Sequence, residues 1–214
     1  MGDSQPSADG LKFDNLDVAL DHSISVGAVH GDSVLVPVGR WILDESELIS
    51  EMTGWRQAAK DNFFAKFPAS TASFTNYLVS HSLAKPDTVL FMIYSGEAGF
   101  KGHIGLTQIT ARTAEIDAVM LSASAQGQGL AEASLAALIS WGKLSWGIDT
   151  LTLEVLSSNA AAISLYLKLG FEIETTTRLK KVADGTLTLL VDCEPGDYAT
   201  GLNRVLMLRK AEKF

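Results

Sequence analysis

Residues 126–131 read Gln126-Gly127-Gln128-Gly129-Leu130-Ala131, a glycine-spaced turn set between a run of period two and a run of period 3.6. Upstream, residues 114–121 alternate as a strand. Downstream, Leu130, Ala133, Ala137, Trp141 and Leu144 recur at three- and four-residue intervals, which predicts a helix with one buried stripe. A strand that passes through such a turn straight into a helix aims successive N–H groups and the helix's positive end at one point, where an anion can sit. Small residues matter there, because a Cβ larger than methyl would hold a diphosphate away from the main chain. Taken alone, the turn fits an ordinary glycine-containing connection equally well.

The elements around it are legible. Residues 34–38 form a short β-rich run. Asp44, with Glu47 three residues later, has the acceptors to cap a helix over 45–59, and a second helix over 70–84 ends at Lys85-Pro86. Strands at 88–94, 102–110 and 114–121 follow as a meander. Beyond the long helix come a strand at 150–156, a helix at 159–169 stopped by Gly170, and strands at 171–182 and 203–209, with a loop around Pro195 and Gly196 between the last two. The pattern predicts an α/β (α+β) fold. At 214 residues and 47% hydrophobic, one domain over 33–214 is expected, with 1–32 a polar N-terminal extension, flexible or an added hairpin.

Charge narrows the partners. With 25 acidic against 17 basic residues the net charge is −8, a field that repels phosphate backbones and anionic lipid, so neither nucleic acid nor membrane is expected as a partner. No apolar run approaches the roughly 20 residues that cross a bilayer. Cys193 is the only cysteine and the N-terminus is polar, which points to a reducing, cytoplasmic setting. Oligomeric state stays open, a homodimer included.

Downstream of the turn lie Leu153-Glu154-Val155, then Asn159, Ala162-Ile163, Leu165-Tyr166 and Gly170-Phe171. Together with the turn these resemble the GNAT superfamily of acyl-CoA-dependent N-acetyltransferases. Its pyrophosphate motif, Q/R-x-x-G-x-G/A, is matched by Gln126, Gly129 and Ala131, and its N-x-x-A-I-x-L-Y-x-x-x-G-F motif by Asn159, Ala162, Ile163, Leu165, Tyr166, Gly170 and Phe171. The resemblance covers residues 34–208. It implies a mixed, mostly antiparallel sheet of about six to seven strands, splayed at a CoA cleft and flanked by four helices. It also implies acetyl-CoA as cosubstrate and no metal. Main-chain groups of Met120 and Leu121 would pair with pantetheine, and Gln126, Gly127, Gln128, Gly129, Leu130 and Ala131 would hold the diphosphate. Asn159 would bond the pantetheine arm, and Tyr166 would stand near the sulfur.

Aminolysis of a thioester needs a neutral amine, a polarised carbonyl and a thiolate that gains a proton. By the same resemblance Tyr166 would supply that proton, since a phenol of pKa ~10 is protonated at neutral pH; a plain core aromatic gives the same spacing. Glu115 and Asp117, two apart on one strand, share a face and are the candidate bases, although solvated carboxylates would read identically. Trp55, Arg56 and His103 resemble acceptor-side positions of the subgroup acting on ribosomal-protein N-termini and nucleotide-linked amino sugars. Arg56 would meet a substrate phosphate or carboxylate there; a surface arginine and a structural histidine are the plain alternatives. The expected function is transfer of acetyl to a small primary amine, an amino sugar, nucleotide-linked or not. Acetylation of a protein N-terminus or lysine, and a CoA-binding module without turnover, are the alternatives.

Overall fold

The computed structural model describes residues 7–27 and 30–210, so residues 1–6 and 28–29 of the expected extension lie outside it. The strands are β1 (Ile24–Ser25), β2 (Ser33–Pro37), β3 (Ala65–Lys66), β4 (Val89–Ser95), β5 (Phe100–Thr107), β6 (Thr113–Leu121), β7 (Thr150–Leu156), β8 (Glu172–Asp184), β9 (Leu187–Asp192) and β10 (Asn203–Lys210). They form one open sheet in the order β1-β2-β4-β5-β6-β7-β10-β8-β9-β3. Each neighbouring pair is antiparallel except β6 and β7. That parallel pair is joined only from Thr113 to Glu115 against Thr150 to Thr152, and beyond this the two strands part. Arg112 pins the closed end: its carbonyl accepts from the N–H of Asp149 at 2.9 Å and of Thr150 at 3.1 Å, and its guanidinium pairs with the Asp149 carboxylate.

Ten strands replace the expected six to seven. Two of the additions, β1 and β3, are two residues long and too short for any period to show. The third, β9, folds back on β8 with Asp184 opposite Leu187, across a two-residue loop whose Gly185 has φ 58°. Gly185 supplies the positive φ that the first central position of a type II′ hairpin requires, and Gly185-Thr186 is the loop pair that marks it in the sequence.

The helices are α1 (Leu16–Asp21), α2 (Ser46–Ala58), α3 (Thr71–Tyr77), α4 (Leu130–Trp146) and α5 (Ala160–Lys168), and α3 continues into a π-helical turn, Leu78–Leu83. The Asp44 cap is not made: Asp44 ends a 3-10 turn, and α2 starts without a side-chain cap. A reciprocal capping box forms instead at α3, where Ser70 Oγ accepts from the Ser73 N–H and Ser73 Oγ from the Ser70 N–H. α5 ends as predicted at Gly170, φ 82°, with the Phe171 N–H donating to the Tyr166 carbonyl and the Gly170 N–H to Leu167.

Strand alternation divides most of the apolar residues between two large cores, with a smaller third cluster of Leu156, Leu179 and Leu190. Phe91, Ile93, Ile116 and Leu153 pack with Leu135 and Leu138 of α4 on one face. Leu90 and Met92 pack with Met52 of α2 and Phe74 of α3 on the other. The α4 stripe is rotated from the expected one: Leu130, Ser134, Leu135, Leu138 and Gly142 are buried, whereas Leu144 is 85% exposed. From the N-terminal segment, Ala8 and Val26 are buried in the first core and Ala19 in the second. Its backbone at Phe13 runs so close to Gly39 that a Cβ there would collide with it.

Candidate active site

The parting of β6 from β7 coincides with a bulge on the other side of β6. His103 lies opposite Met120 and Gly105 opposite Asp117, so Ala118 and Val119 together face the single residue Ile104. Ala118 takes φ 53°, an uncommon conformation for a residue with a side chain. Two neighbours explain how it is held. A Cβ on Gly102 would strike the Met120 carbonyl, so glycine permits the close approach. The buried His103 donates from Nδ1 to the Ala118 carbonyl at 2.6 Å, and burial pushes its pKa down to about 4, which keeps the ring neutral. His103 Nε2 has no partner among the described residues, and the Trp55 ring lies 6.4 Å away, centroid to centroid. His103 thus braces the bulge.

In front of the bulge a cavity of about 500 Å³ opens between the parted strands. Gln126, Gly127 and Ala131 of the turn line it, as do Met120, Leu121 and Asn159. At the other end stand Tyr166, Glu115 and Asp117. The structure therefore brings most of the predicted residues to one wall. Gln128, Gly129, Leu130, Trp55, Arg56 and His103 are not on it: Gln128 turns its amide to the Ser124 carbonyl at 2.7 Å, the Cβ position of Gly129 faces His30, and Leu130 is buried in the core. Gly127 and Gly129 have φ 73° and 77°, the left-handed turn that leads into α4. Asn159 Oδ1 accepts from the Ala162 N–H at 3.3 Å and so caps α5.

Arg56 is engaged elsewhere. It donates to the Ala65 carbonyl at 2.7 Å and lies 3.3 Å over the Phe63 ring, where burial pushes its pKa down to about 10. It ties down the 59–67 loop, which puts Phe63 and Phe64 on the cavity wall. Glu154, from β7, adds a third carboxylate there. Neither its role nor that of Phe64 could be read from spacing, since the fold alone brings them to Glu115.

Environment separates the titrating groups. Glu115 is half-buried, and burial followed by the charges of Asp117 and Glu154 pushes it up to about 7, with Arg204 opposing. Its Oε2 accepts from the Gln108 amide at 2.7 Å. Tyr166 is 7% exposed and packs edge-on against Phe171, ring centroids 6.0 Å apart. Burial first, then Asp117, pushes its phenol up to about 12. None of the side-chain hydrogen bonds among the described residues involves its hydroxyl, which belongs to a residue on the cavity wall.

The spermidine N-acetyltransferase from Vibrio cholerae in complex with CoA and spermine superposes with a TM-score of 0.63 at 17% identity, covering 83% of this chain and 95% of that one. RimL, the ribosomal L7/L12 alpha-N-protein acetyltransferase in complex with coenzyme A, gives 0.61 at 15%, covering 88% and 98%. The ribosomal-protein-S18-alanine N-acetyltransferase from Escherichia coli gives 0.53 at 22%, covering 78% and 89%. No curated protein sequence matches the chain. The Acetyltransferase (GNAT) family model matches residues 52–171, a span that holds the bulge, the glycine turn before α4 and Tyr166 and exceeds half of the chain, which therefore belongs to the GNAT family of acetyltransferases.

Proposed function

We propose that this acetyltransferase moves the acetyl group of acetyl-CoA to a small, cationic primary amine by direct attack in a ternary complex. The observation that carries the reading is one cavity whose wall holds Gln126, Gly127 and Ala131 of the glycine turn together with the pair Tyr166 and Glu115. Gln126, Gly127 and Ala131 would hold the diphosphate, main chain near Met120 and Leu121 the pantetheine, and Asn159 its amides.

Glu115 suits the role of base, because a carboxylate near pKa 7 takes a proton from an ammonium group and yields it again at neutral pH. One N–H bond of the acceptor breaks as an O–H bond forms on Glu115. The freed lone pair attacks the thioester carbonyl, polarised by a main-chain N–H at the bulge; C–N forms and C–S breaks. Tyr166 then donates a hydrogen bond to the departing sulfur. At about 12 its phenol is a poor acid beside a thiol of ordinary pKa ~8.5, so Tyr166 shares its hydrogen, and the proton that ends on sulfur is the second one lost by the nitrogen.

The acceptor end favours positive charge. Glu115, Asp117 and Glu154 line it beside Phe63 and Phe64, and although Arg204 pairs with Glu154 at 3.3 Å, no Lys, Arg or His among the described residues lines the cavity. A nucleotide-linked amino sugar would bring a diphosphate against these carboxylates, whereas a polyamine-like amine or an amino sugar without phosphate would be attracted. Spermidine and protein N-termini are the acceptors of the structural neighbours, which is consistent with an amine of either size. The half-buried free thiol of Cys193 agrees with a cytoplasmic setting, which cell fractionation would check.

Release of free thiol from acetyl-CoA, measured across polyamines, amino sugars, their nucleotide-linked forms and short peptides, tests the reading. Turnover confined to nucleotide-linked sugars would overturn the cationic-acceptor assignment. Tight acetyl-CoA binding with no thiol release for any amine would overturn catalysis itself.

A further inference from the structure

Gln108 follows the last residue of β5, and its backbone departs from the strand. Thr107 pairs directly with Glu115 across β5 and β6, so these two side chains share a face. In a regular strand the next residue, Gln108, would project to the opposite face. It does not, because φ at Gln108 is 51°, one of two positive values among the described non-glycine residues. The side chain is turned back instead, and its Nε2 donates to Glu115 Oε2 at 2.7 Å. Glycine would take this backbone without strain, so the presence of glutamine directs attention to what its amide does.

Glu115 also stands between two spaces. One is the cleft that holds Tyr166. The other, about 450 Å³, lies on the far side and is lined by Gln108, Thr113, Thr150 and Thr152, with Asp87 among its wall residues. Gln108 reaches the carboxylate from that second space.

We propose that Gln108 is a positioning residue for Glu115, whose amide fixes the carboxylate between the two cavities so that a proton taken from the acceptor leaves through the second one. The inference rests on Glu115 as the base. On proton uptake an acceptor N–H breaks and a Glu115 O–H forms; on release that O–H breaks toward water and the carboxylate returns. The charged groups around Glu115 are Asp117 on its own strand, Glu154 on β7, Arg204 on β10 and Asp87 in the second cavity. Three of the four are acidic and favour the protonated form. The Gln108 amide donates to the ionised form and works against them.

The test is Gln108→Gly, with Gln108→Asn as the second variant because asparagine tolerates the left-handed backbone but is too short to keep the bond. Thermal stability should hold or rise in Gln108→Gly as the backbone relaxes. The acid limb of kcat/KM should move to higher pH by roughly half a unit to one unit, with kcat down about 10-fold, the loss of one hydrogen bond to a charged group. Gln108→Asn should show the same limb shift. In a Glu115→Gln background Gln108→Gly should cost nothing further. If Glu115→Gln removes the acid limb while both Gln108 variants leave it in place, the positioning role is wrong and the base stands. If Glu115→Gln leaves the limb untouched, the base assignment fails and this inference with it. A further 10-fold loss in the double variant would put Gln108's action somewhere other than Glu115.

Discussion

His30 Nε2 lies 3.6 Å from the point that a Cβ on Gly129 would occupy, so the N-terminal segment abuts the turn that precedes α4. Gly129 is thereby constrained twice, by φ 77° and by the imidazole. Gly127, at φ 73°, has open space around its own Cβ position.

Gly129→Ala should therefore cost about 1–2 kcal/mol of stability from the left-handed backbone alone, since 3.6 Å is ordinary contact for one methyl. Gly129→Val should cost more, because its branches enter the His30 ring. Adding His30→Ala to Gly129→Val should recover that difference and no more. Denaturant melts of the four proteins decide it. If Gly129→Val keeps wild-type stability and loses only acetyl-CoA affinity, the residue faces the diphosphate and not His30.

Tyr166→Phe should leave the melting temperature near wild type, because none of the side-chain hydrogen bonds among the described residues depends on its hydroxyl and the ring packing against Phe171 is kept. Single-turnover acetyl transfer should slow by about 10-fold to 150-fold, the rate equivalent of a hydrogen bond to a charged group worth roughly 1.5–3 kcal/mol. A drop in stability with unchanged chemistry would make Tyr166 a packing residue.

What could be read from the chain follows a physical division. The glycine turn before α4, the start of α5 at Asn159 and its stop at Gly170 depend on a few consecutive residues, and each leaves a local mark. Gly185-Thr186 leaves one too, a glycine-led two-residue loop between β8 and β9. Leu144 fits the expected stripe and yet is exposed, because three- and four-residue spacing fits two adjacent helix faces, and only packing against the sheet selects between them. Glu154, Phe64, Gln108 and His30 reach the site through strand register and loop placement, which no local pattern encodes. His103 is the mixed case: the resemblance singles it out as an acceptor-side position, but its bond to Ala118 comes from the bulge.

His103→Leu should lower acetyl-CoA affinity without touching the cavity wall. The Ala118 carbonyl loses its donor, the bulge relaxes, and the N–H groups near Met120 lose their aim. Leaving a partly buried carbonyl unpaired costs about 1–3 kcal/mol, which a melt at neutral pH would register. Unchanged affinity in a destabilised protein would mean that the bulge holds its shape without the imidazole.

The pH dependence of stability offers the sharpest test of both perturbed groups, because their effects oppose each other. His103 ionises near 4 in the folded chain against 6.5 ordinarily, so between these values the unfolded chain binds the extra proton and stability is lost as pH falls. Glu115 ionises near 7 when folded against 4.5 ordinarily. There the folded chain binds the extra proton, and the stability this contributes, complete below 4.5, is lost as pH rises through 7. Between about 4.5 and 6.5 the two slopes, each at most roughly 1.4 kcal/mol per pH unit and less for the half-exposed Glu115, cancel in part. Removing one should unmask the other. Relative to wild type, Glu115→Gln should gain stability as pH rises through this window, and His103→Leu should lose it. Glu115→Gln should also be the more stable protein at pH 8, where the wild type carries an unfavourable charge in the site, while its acetyl transfer falls by roughly 10²-fold to 10⁴-fold. Parallel stability curves for wild type and both variants across pH 4.5 to 8 would mean that neither group is shifted by the fold, and the base would have to be sought outside Glu115.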